Sequence, residues 1–491
     1  MNAQEQAAYE RKRWQALALL CIAQFMVVLD ASIVNIALPT IGEALDFTQE
    51  NLTWVINSYI LTFGGFLLLG GRLADLLGRR RVFITGLIIF ALASLAGGFA
   101  TNDVQLIVAR AVQGLGAAIV SPAALSIITT TFKEGSERNK ALGAWGAVAG
   151  SGGAAGVLLG GVLTDSLGWE WVLWVNVPIG LIAAFYAPRL IAESRQEDAT
   201  RTFDIPGAVT ITAGLSLLVY AIVDAEQSGW GSTRTITLLA LSAALILAFI
   251  VIEQRSRAPL VPFRIFRLRT LTGSNIVGLL VGASLFSMFF FATLYMQQVL
   301  GYGPIKTGLS YLPLTAGIIL SAGIGSQVAT KIGFKPVLVV GMICVTVALV
   351  WWSRISPDGS YVADVLGPSV VAAIGLGLSF VPVTIGAVAG VDEHESGLAS
   401  GLINTSQQIG GALGLAILAT IANSTTGDSF EPVALTEGFH DAFLVGAGFG
   451  AIGLVLSLTL IKSSDSRAMI ERDSDDERPP SQSPAPAGAE G

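Results

Sequence analysis

Long apolar runs dominate the chain, separated by short polar stretches. The runs fall at about residues 14–38, 52–70, 82–100, 104–130, 141–163, 171–190, 205–225 and 235–253. They continue at about 271–296, 307–330, 336–353, 363–389, 398–422 and 440–461. A helix needs about 20 apolar residues to cross the hydrocarbon core of a bilayer. The runs do not alternate as the short strands of a membrane barrel do. Gly and Pro inside them are compatible with helix in lipid, where neighbouring helices satisfy freed backbone groups. The pattern predicts an all-α integral membrane protein with 14 transmembrane helices.

The polar stretches orient these spans. If the N-terminus is cytoplasmic, the inside segments hold 24 of the 28 basic residues, and the outside segments only Arg234, Lys306 and Arg354. The remaining one, Arg110, lies within a span. Such a bias is the positive-inside rule at work, and an odd number of spans would destroy it. The N- and C-termini are therefore both expected in the cytoplasm, the first as residues 1–13.

Composition agrees. Of 491 residues, 53% are hydrophobic and 13% charged, against about 25% charged in a soluble domain. The first apolar run is too long for a leader peptide and is followed by thirteen more, so it reads as a span. The net charge of −7 is partly local. Residues 462–491 are rich in Ser, Asp, Pro and Ala, and are expected to form a disordered cytoplasmic tail. Cys21 and Cys344 sit in separate apolar runs and read as small buried hydrophobes. His394 and His440 fall near span ends without metal-ligand spacing. There is no phosphate-binding Gly-x-x-x-x-Gly-Lys-[Ser/Thr] loop, and nothing reads as an enzyme.

A weak echo divides the chain. Gly71-Arg-Leu-Ala-Asp75-Leu-Leu-Gly78-Arg79-Arg80 follows span two, and Ser326-Gln-Val-Ala-Thr330-Lys-Ile-Gly333-Phe-Lys335 ends span ten. Repeats of this kind are a transporter signature. They predict a six-helix bundle over 14–190 and a second over 271–461. A linker and two inserted helices lie between them, over 191–270.

The charges inside the spans are the candidate chemistry. Asp30 lies about eight residues, or roughly 12 Å, from the outer end of span one, and Arg110 about six residues, or roughly 9 Å, from the outer end of span four. Buried charges in membranes usually face a bundle interior or cavity. These two sit at similar depth and are expected to pair, directly or through water. The alternative is a structural ion pair that only fixes two helices. Asn35, Gln113, Asn275, Asn404 and Gln407 are candidates for a substrate cavity, although hydrogen bonding between helices is the commoner task of such residues. The run Phe286, Phe289, Phe290 and Phe291 either lines an apolar cavity or faces lipid.

These motifs resemble the major facilitator superfamily, specifically its fourteen-helix drug:proton antiporters of the EmrB/QacA type. Leu29-Asp30-Ala-Ser-Ile-Val-Asn35-Ile-Ala-Leu-Pro39 is similar to that family's span-one motif. Leu106-Ile-Val-Ala-Arg110-Ala-Val-Gln113-Gly114-Leu-Gly116 is similar to its span-four motif. Gly71 to Arg81, Trp169-Glu-Trp171, Asn176-Val-Pro178-Ile-Gly180 and Gly397-Leu-Ala-Ser-Gly401 extend the likeness over nearly the whole chain. The resemblance implies the two-bundle superfamily fold, proton coupling at Asp30 and Arg110, and a gating loop of Gly71, Asp75, Gly78, Arg79 and Arg80. In the family's architecture Asp75 would meet the start of span thirteen near Gly397, where a helix N-terminus favours an anion.

The resemblance also implies an antiporter glycine pattern, with Gly143 followed by Gly152, Gly156, Gly160 and Gly161. The family carries Pro after the third of these, whereas Val157 stands here and does not kink a helix as Pro does. The function implied is proton-coupled export of drugs or antibiotics by alternating access. The alternative is an uptake permease for a small nutrient. The partners implied are an amphipathic or antibiotic-like substrate, protons and lipid, without cofactor, metal or nucleic acid. The setting implied is a monomer in a bacterial cytoplasmic membrane.

Overall fold

The computed structural model describes residues 3–47, 49–52, 54–133, 135–194, 204–256, 259–392, 395–427 and 431–466. Most of the expected tail, linker residues 195–203 and His394 lie outside them. Fourteen long helices run α1 Ala3–Ala44, α2 Trp54–Leu77, α3 Arg79–Gly98, α4 Asp103–Thr131, α5 Ser136–Leu167, α6 Asn176–Leu190 and α7 Ile205–Ser228. They continue as α8 Thr233–Arg255, α9 Arg269–Leu294, α10 Leu312–Ile332, α11 Phe334–Trp352, α12 Gly367–Val388, α13 Ser396–Thr426 and α14 Pro432–Thr459. Among the described residues there is no strand. In lipid every backbone N–H and C=O must be paired within the protein, and a helix does this within one segment.

Among the described residues, thirteen of these spans are long and apolar enough to cross a membrane. The other is α5, bent by 42° between Ser136–Gly153 and Ala155–Leu167. The bend falls in the glycine-rich stretch just before Val157, in a helix that has no Pro there. Two other boundaries differ from expectation. Residues 3–13 continue the helix of α1 rather than forming a separate segment, and Arg13 holds that extension against Glu137 through hydrogen bonds of 2.8 and 3.2 Å. His440 lies inside α14, not in a loop, and its Nε2 is 2.6 Å from the Ile355 carbonyl.

Local sequence explains several ends. Asn102, Asp204 and Ser232 accept the N–H of Gln105, Gly207 and Thr235 at 3.0, 2.8 and 3.1 Å, each capping a helix start. Gly168, Gly229, Gly333 and Gly427 end helices with positive φ.

The packing repeats. In the first six helices, α1 lies on α5 and α6, α4 on α2 and α3, and α3 on α6. In the last six, α9 lies on α13 and α14, α12 on α10 and α11, and α11 on α14, the same scheme eight helices later. Contacts between the two bundles are reciprocal: α2 meets α13, and α10 meets α5. The inserted pair α7–α8 packs on itself, with α7 set against α2 and α13.

Small residues make the α2–α13 contact close. A side chain at Gly71 would collide with the Gly397 carbonyl and reach 3.2 Å from the Gly401 Cα. Gly71→Leu is expected to force the two helices apart, destabilising the purified protein by about 1–3 kcal/mol. Thermal unfolding in detergent measures this, and an unchanged midpoint would mean the contact is looser than described.

Candidate functional site

Asp30 and Arg110 meet directly. Arg110 Nη1 is 2.6 Å from Asp30 Oδ2, and the two side chains are 1% and 0% exposed. Burying such a pair is favourable only if the remaining polar positions are also filled. Asp30 Oδ1 accepts the Gln113 amide at 2.7 Å and the Asn176 amide at 2.8 Å. Arg110 Nε donates to the Val55 carbonyl at 3.1 Å, and Nη1 also reaches Gln113 Oε1 at 2.6 Å. The Tyr59 ring lies under the guanidinium, 4.4 Å from its centroid, a cation–π contact.

A second row supports the first. Ser94 accepts from Gln113 at 2.9 Å and Asn176 at 3.2 Å, and donates to the Leu173 carbonyl at 2.8 Å. The cluster therefore draws on α1, α2, α3, α4 and α6. On another side of α1 the glycines of α5 press close. A Cβ at Gly156 would lie 2.8 Å from the Leu29 carbonyl, and one at Gly160 2.8 Å from the Ile33 carbonyl. Gly152 packs on Val28, and Gly161 is buried. Any shift of α5 against α1 acts on the segment that holds Asp30.

Sequence reasoning missed Asn176, Ser94 and Tyr59 as members of this cluster. The Asn176-Val-Pro178 stretch was the only signal, and a lone Ser in an apolar run carries none. Gln113, expected in a substrate cavity, is 1% exposed and committed to Asp30, Arg110 and Ser94. It belongs to the charged cluster instead. Asn35 is exposed and donates to the Ala31 carbonyl of its own helix. In the second bundle Asn275 accepts from Ser406 at 3.1 Å, and Asn404 accepts from Ser121 across the seam at 3.2 Å. Gln407 Nε2 is buried with no hydrogen-bond partner among the described residues. The phenylalanines divide: Phe291 packs with Phe439 and Phe443, Phe289 stacks on Tyr311, and Phe286 and Phe290 are partly exposed.

The second constellation closes one end of the seam. Asp75 accepts the backbone N–H of Gly397 and of Leu398, both at 3.0 Å, and Arg79 Nη2 at 3.0 Å. A carboxylate thus sits on the first turn of α13, where helix N–H groups lack internal partners. Gly78 has φ +104, and a side chain there would strike Glu193. Glu193 in turn accepts the Arg80 N–H at 3.2 Å and lies 3.6 Å from both Arg80 Nε and Arg81 Nε. The related place in the second half holds Thr330. It has no carboxylate, yet Thr330 accepts from Asn139 at 2.9 Å, while Ser326 donates to the Asn139 carbonyl at 2.5 Å. Ser126 and Ser396 add a 2.9 Å contact at the same end. Among the described residues no group of three or more His, Cys, Asp and Glu side chains is arranged to hold a metal.

Paired bundles around reciprocal seams, with a buried ion pair in one of them, define a polytopic membrane transporter. Comparison with known proteins sharpens the class. The family model of the Major Facilitator Superfamily matches residues 20–415, and the chain belongs to that superfamily. It is 43% identical to the cephamycin export protein of Amycolatopsis lactamdurans, over 87% of this chain and 88% of that one. It is 38% identical to the puromycin resistance protein of Streptomyces alboniger, over 91% and 90%, and 32% identical to the lincomycin resistance protein of Streptomyces lincolnensis, over 97% and 96%. A solved structure, the human organic anion transporter MFSD10, shares the fold with TM-score 0.65 at 14% identity, over 91% of this chain and 99% of that one. The protein is an integral membrane transporter and not an enzyme.

Asp75→Ala would strip Arg79, itself 6% exposed, of its carboxylate and leave two N–H groups of α13 without an acceptor. Breaking a buried pair in this way costs roughly 3–5 kcal/mol. A large drop in melting temperature is expected, with a smaller one for Asp75→Asn, which keeps an acceptor oxygen. Equal drops would show that charge is not what the clamp uses.

Proposed function

We propose that the protein is a proton-coupled antiporter exporting drug- or antibiotic-like molecules across a bacterial cytoplasmic membrane. The observation that carries this is the fully buried Asp30–Arg110 pair inside a superfamily transporter. A guanidinium is a permanent cation in proteins. When Asp30 takes up a proton, the guanidinium loses its counter-charge and the balance of the five-helix cluster changes. When the proton leaves, the pair reforms. A group that exchanges one proton for one ion pair is suited to couple a gradient to helix movement, and needs no cofactor beyond that gradient. Asp30 is the proton carrier in this reading, Arg110 tunes it, and Gln113, Asn176 and Ser94 hold the geometry.

Alternating access supplies the cycle. The bundles at 14–190 and 271–461 rock about the α2–α13 and α5–α10 seams, with substrate between them near Asn35, Asn275, Asn404 and Gln407. The Asp75 clamp and the Asn139–Thr330 contact lie at the end that the basic residues assign to the cytoplasm. Closure of these contacts is the state expected when the opposite end opens to the outside. Both termini are cytoplasmic in this reading, and one pair of bundles is enough for the cycle, so the protein works as a monomer. The Gly152, Gly156, Gly160 and Gly161 surface lets α5 move against α1 as Asp30 changes state. Relatives named for antibiotic export and resistance support export over nutrient uptake.

Asp30→Asn is expected to reach the membrane at the normal level and to lose pH-driven efflux, down to the rate of protein-free vesicles. Normal efflux by this variant would exclude Asp30 as the sole proton carrier. In cells lacking other pumps, expression is expected to lower dye accumulation until an uncoupler is added, and a resistance panel would then name the substrates. Uncoupler-insensitive accumulation that rises with expression would point to uptake instead.

A further inference from the structure

Residues 259–268 lead from α8, the second inserted helix, into α9, and they do not lie loosely on the surface as connections usually do. Leu260, Val261 and Ile265 are each 2% exposed and join the main apolar core. Glu253 of α8, itself buried, accepts the Leu260 N–H at 2.9 Å. The Phe249 ring of α8 meets that of Phe263 edge-on, 6.5 Å between centroids. Arg72 of α2 donates through Nη2 to the Pro259 carbonyl at 3.4 Å. In the short 3-10 turn Phe263–Arg267, Arg264 Nη2 lies 2.7 Å from Glu395 Oε1.

These contacts reach three parts of the molecule. Arg72 stands one turn before Asp75 on α2, in the first bundle. Glu395 stands directly before α13, whose first-turn N–H groups take Asp75, in the second. Glu253 and Phe249 belong to the inserted pair. The segment therefore crosses the seam beside the Asp75 clamp, with its base on α8. Its attachments differ in kind. Leu260, Val261 and the carboxylate of Glu253 are buried at the base. At the far end the Arg264 side chain is 67% exposed and that of Glu395 13%, with the charge of Asp392 also acting on Arg264. A pair open to water contributes little and is screened by salt. The contact with α13 is thus the one that parts most easily.

We propose that residues 259–267 form a strap, based on the inserted pair, that reaches over the seam to α13 and holds this end shut, and that Arg264 lets go of Glu395 when the end opens. The proposal rests on the alternating-access reading above. Opening draws the start of α13 away from α2, and with it Glu395 from Arg264. The pair then exists in one state only, and its free energy biases the population toward that state. Because the link is weak, the strap sets the balance between the two states without locking either. The two inserted helices gain a task by this: they anchor a latch beside the clamp and need not line the transport path themselves.

The test uses the full chain in phosphatidylcholine nanodiscs. Spin labels at Lys140→Cys on α5 and Lys331→Cys on α10, in a Cys21→Ala, Cys344→Ala background, report the distance across this end at low and at high pH. Arg264→Gln and Glu395→Gln are each expected to lower the closed-to-open ratio roughly threefold, as loss of an exposed pair allows. The double variant should lower it no further than either alone, as a shared contact requires, and Arg264→Lys should keep most of it. Melting temperatures of these variants are expected to stay at the wild-type value. Phe263→Ala loosens the base of the strap without touching the pair, and should lower the ratio too. Ratios unchanged in the Gln variants, while pH still moves the distance, overturn the strap and leave alternating access intact. Effects that simply add in the double variant overturn the Arg264–Glu395 link, and an unchanged ratio in Phe263→Ala overturns the anchoring on the inserted pair. A distance fixed at every pH and in every variant overturns the strap together with the alternating-access reading.

Discussion

In the interior of a membrane neither Asp30 nor Arg110 has bulk water to fall back on, and each must find its hydrogen bonds in protein. That requirement organises the first bundle. The carboxylate takes two amides and a guanidinium, the guanidinium takes a carbonyl and a ring face, and Ser94 ties the amides to the turn before α6. Five helices are held in register by one pair of charges. With the carboxylate this closely paired, the network is rigid in one protonation state and poorly matched in the other, because removing the negative charge leaves a permanent cation without its partner. The proposed coupling of proton uptake to helix movement rests on that mismatch.

The seam shows how such movement is kept reversible. Where the two bundles touch, small residues such as Gly71, Gly397 and Gly401 and a few hydrogen bonds lie in the contact. On one side a carboxylate caps the start of α13, and on the other Thr330 and Ser326 meet Asn139. Repeat symmetry explains why both contacts exist, and it does not require them to be equal. The acidic side uses a charge–dipole contact and the other neutral hydrogen bonds, so the two sides of the seam part at different energetic cost.

Much of this was legible before any coordinate. Apolar run lengths set the number of spans, since crossing lipid imposes one length and one solution to backbone pairing. Asp30 and Arg110 stood out for the same reason, as charges are rare in such runs. Asn176 and Ser94 did not, because an amide or a hydroxyl in a span most often serves packing, and only the neighbours decide its task. Gln113 was misplaced into a cavity for want of that knowledge. The bend of α5 was not legible either, because no Pro marks it and glycine spacing alone does not fix where a helix bends.

By itself, then, the sequence determined that this chain is a membrane protein of fourteen helices with two charges it must hide, because solvent chemistry acts on each segment separately. The tertiary structure alone decided that the two charges touch, and that Asn176 and Ser94 complete them. It also decided that Asp75 reaches α13 and that Asn139 meets Thr330. Those are properties of juxtaposition. They depend on how helices separated by hundreds of residues pack, and no local pattern carries that information.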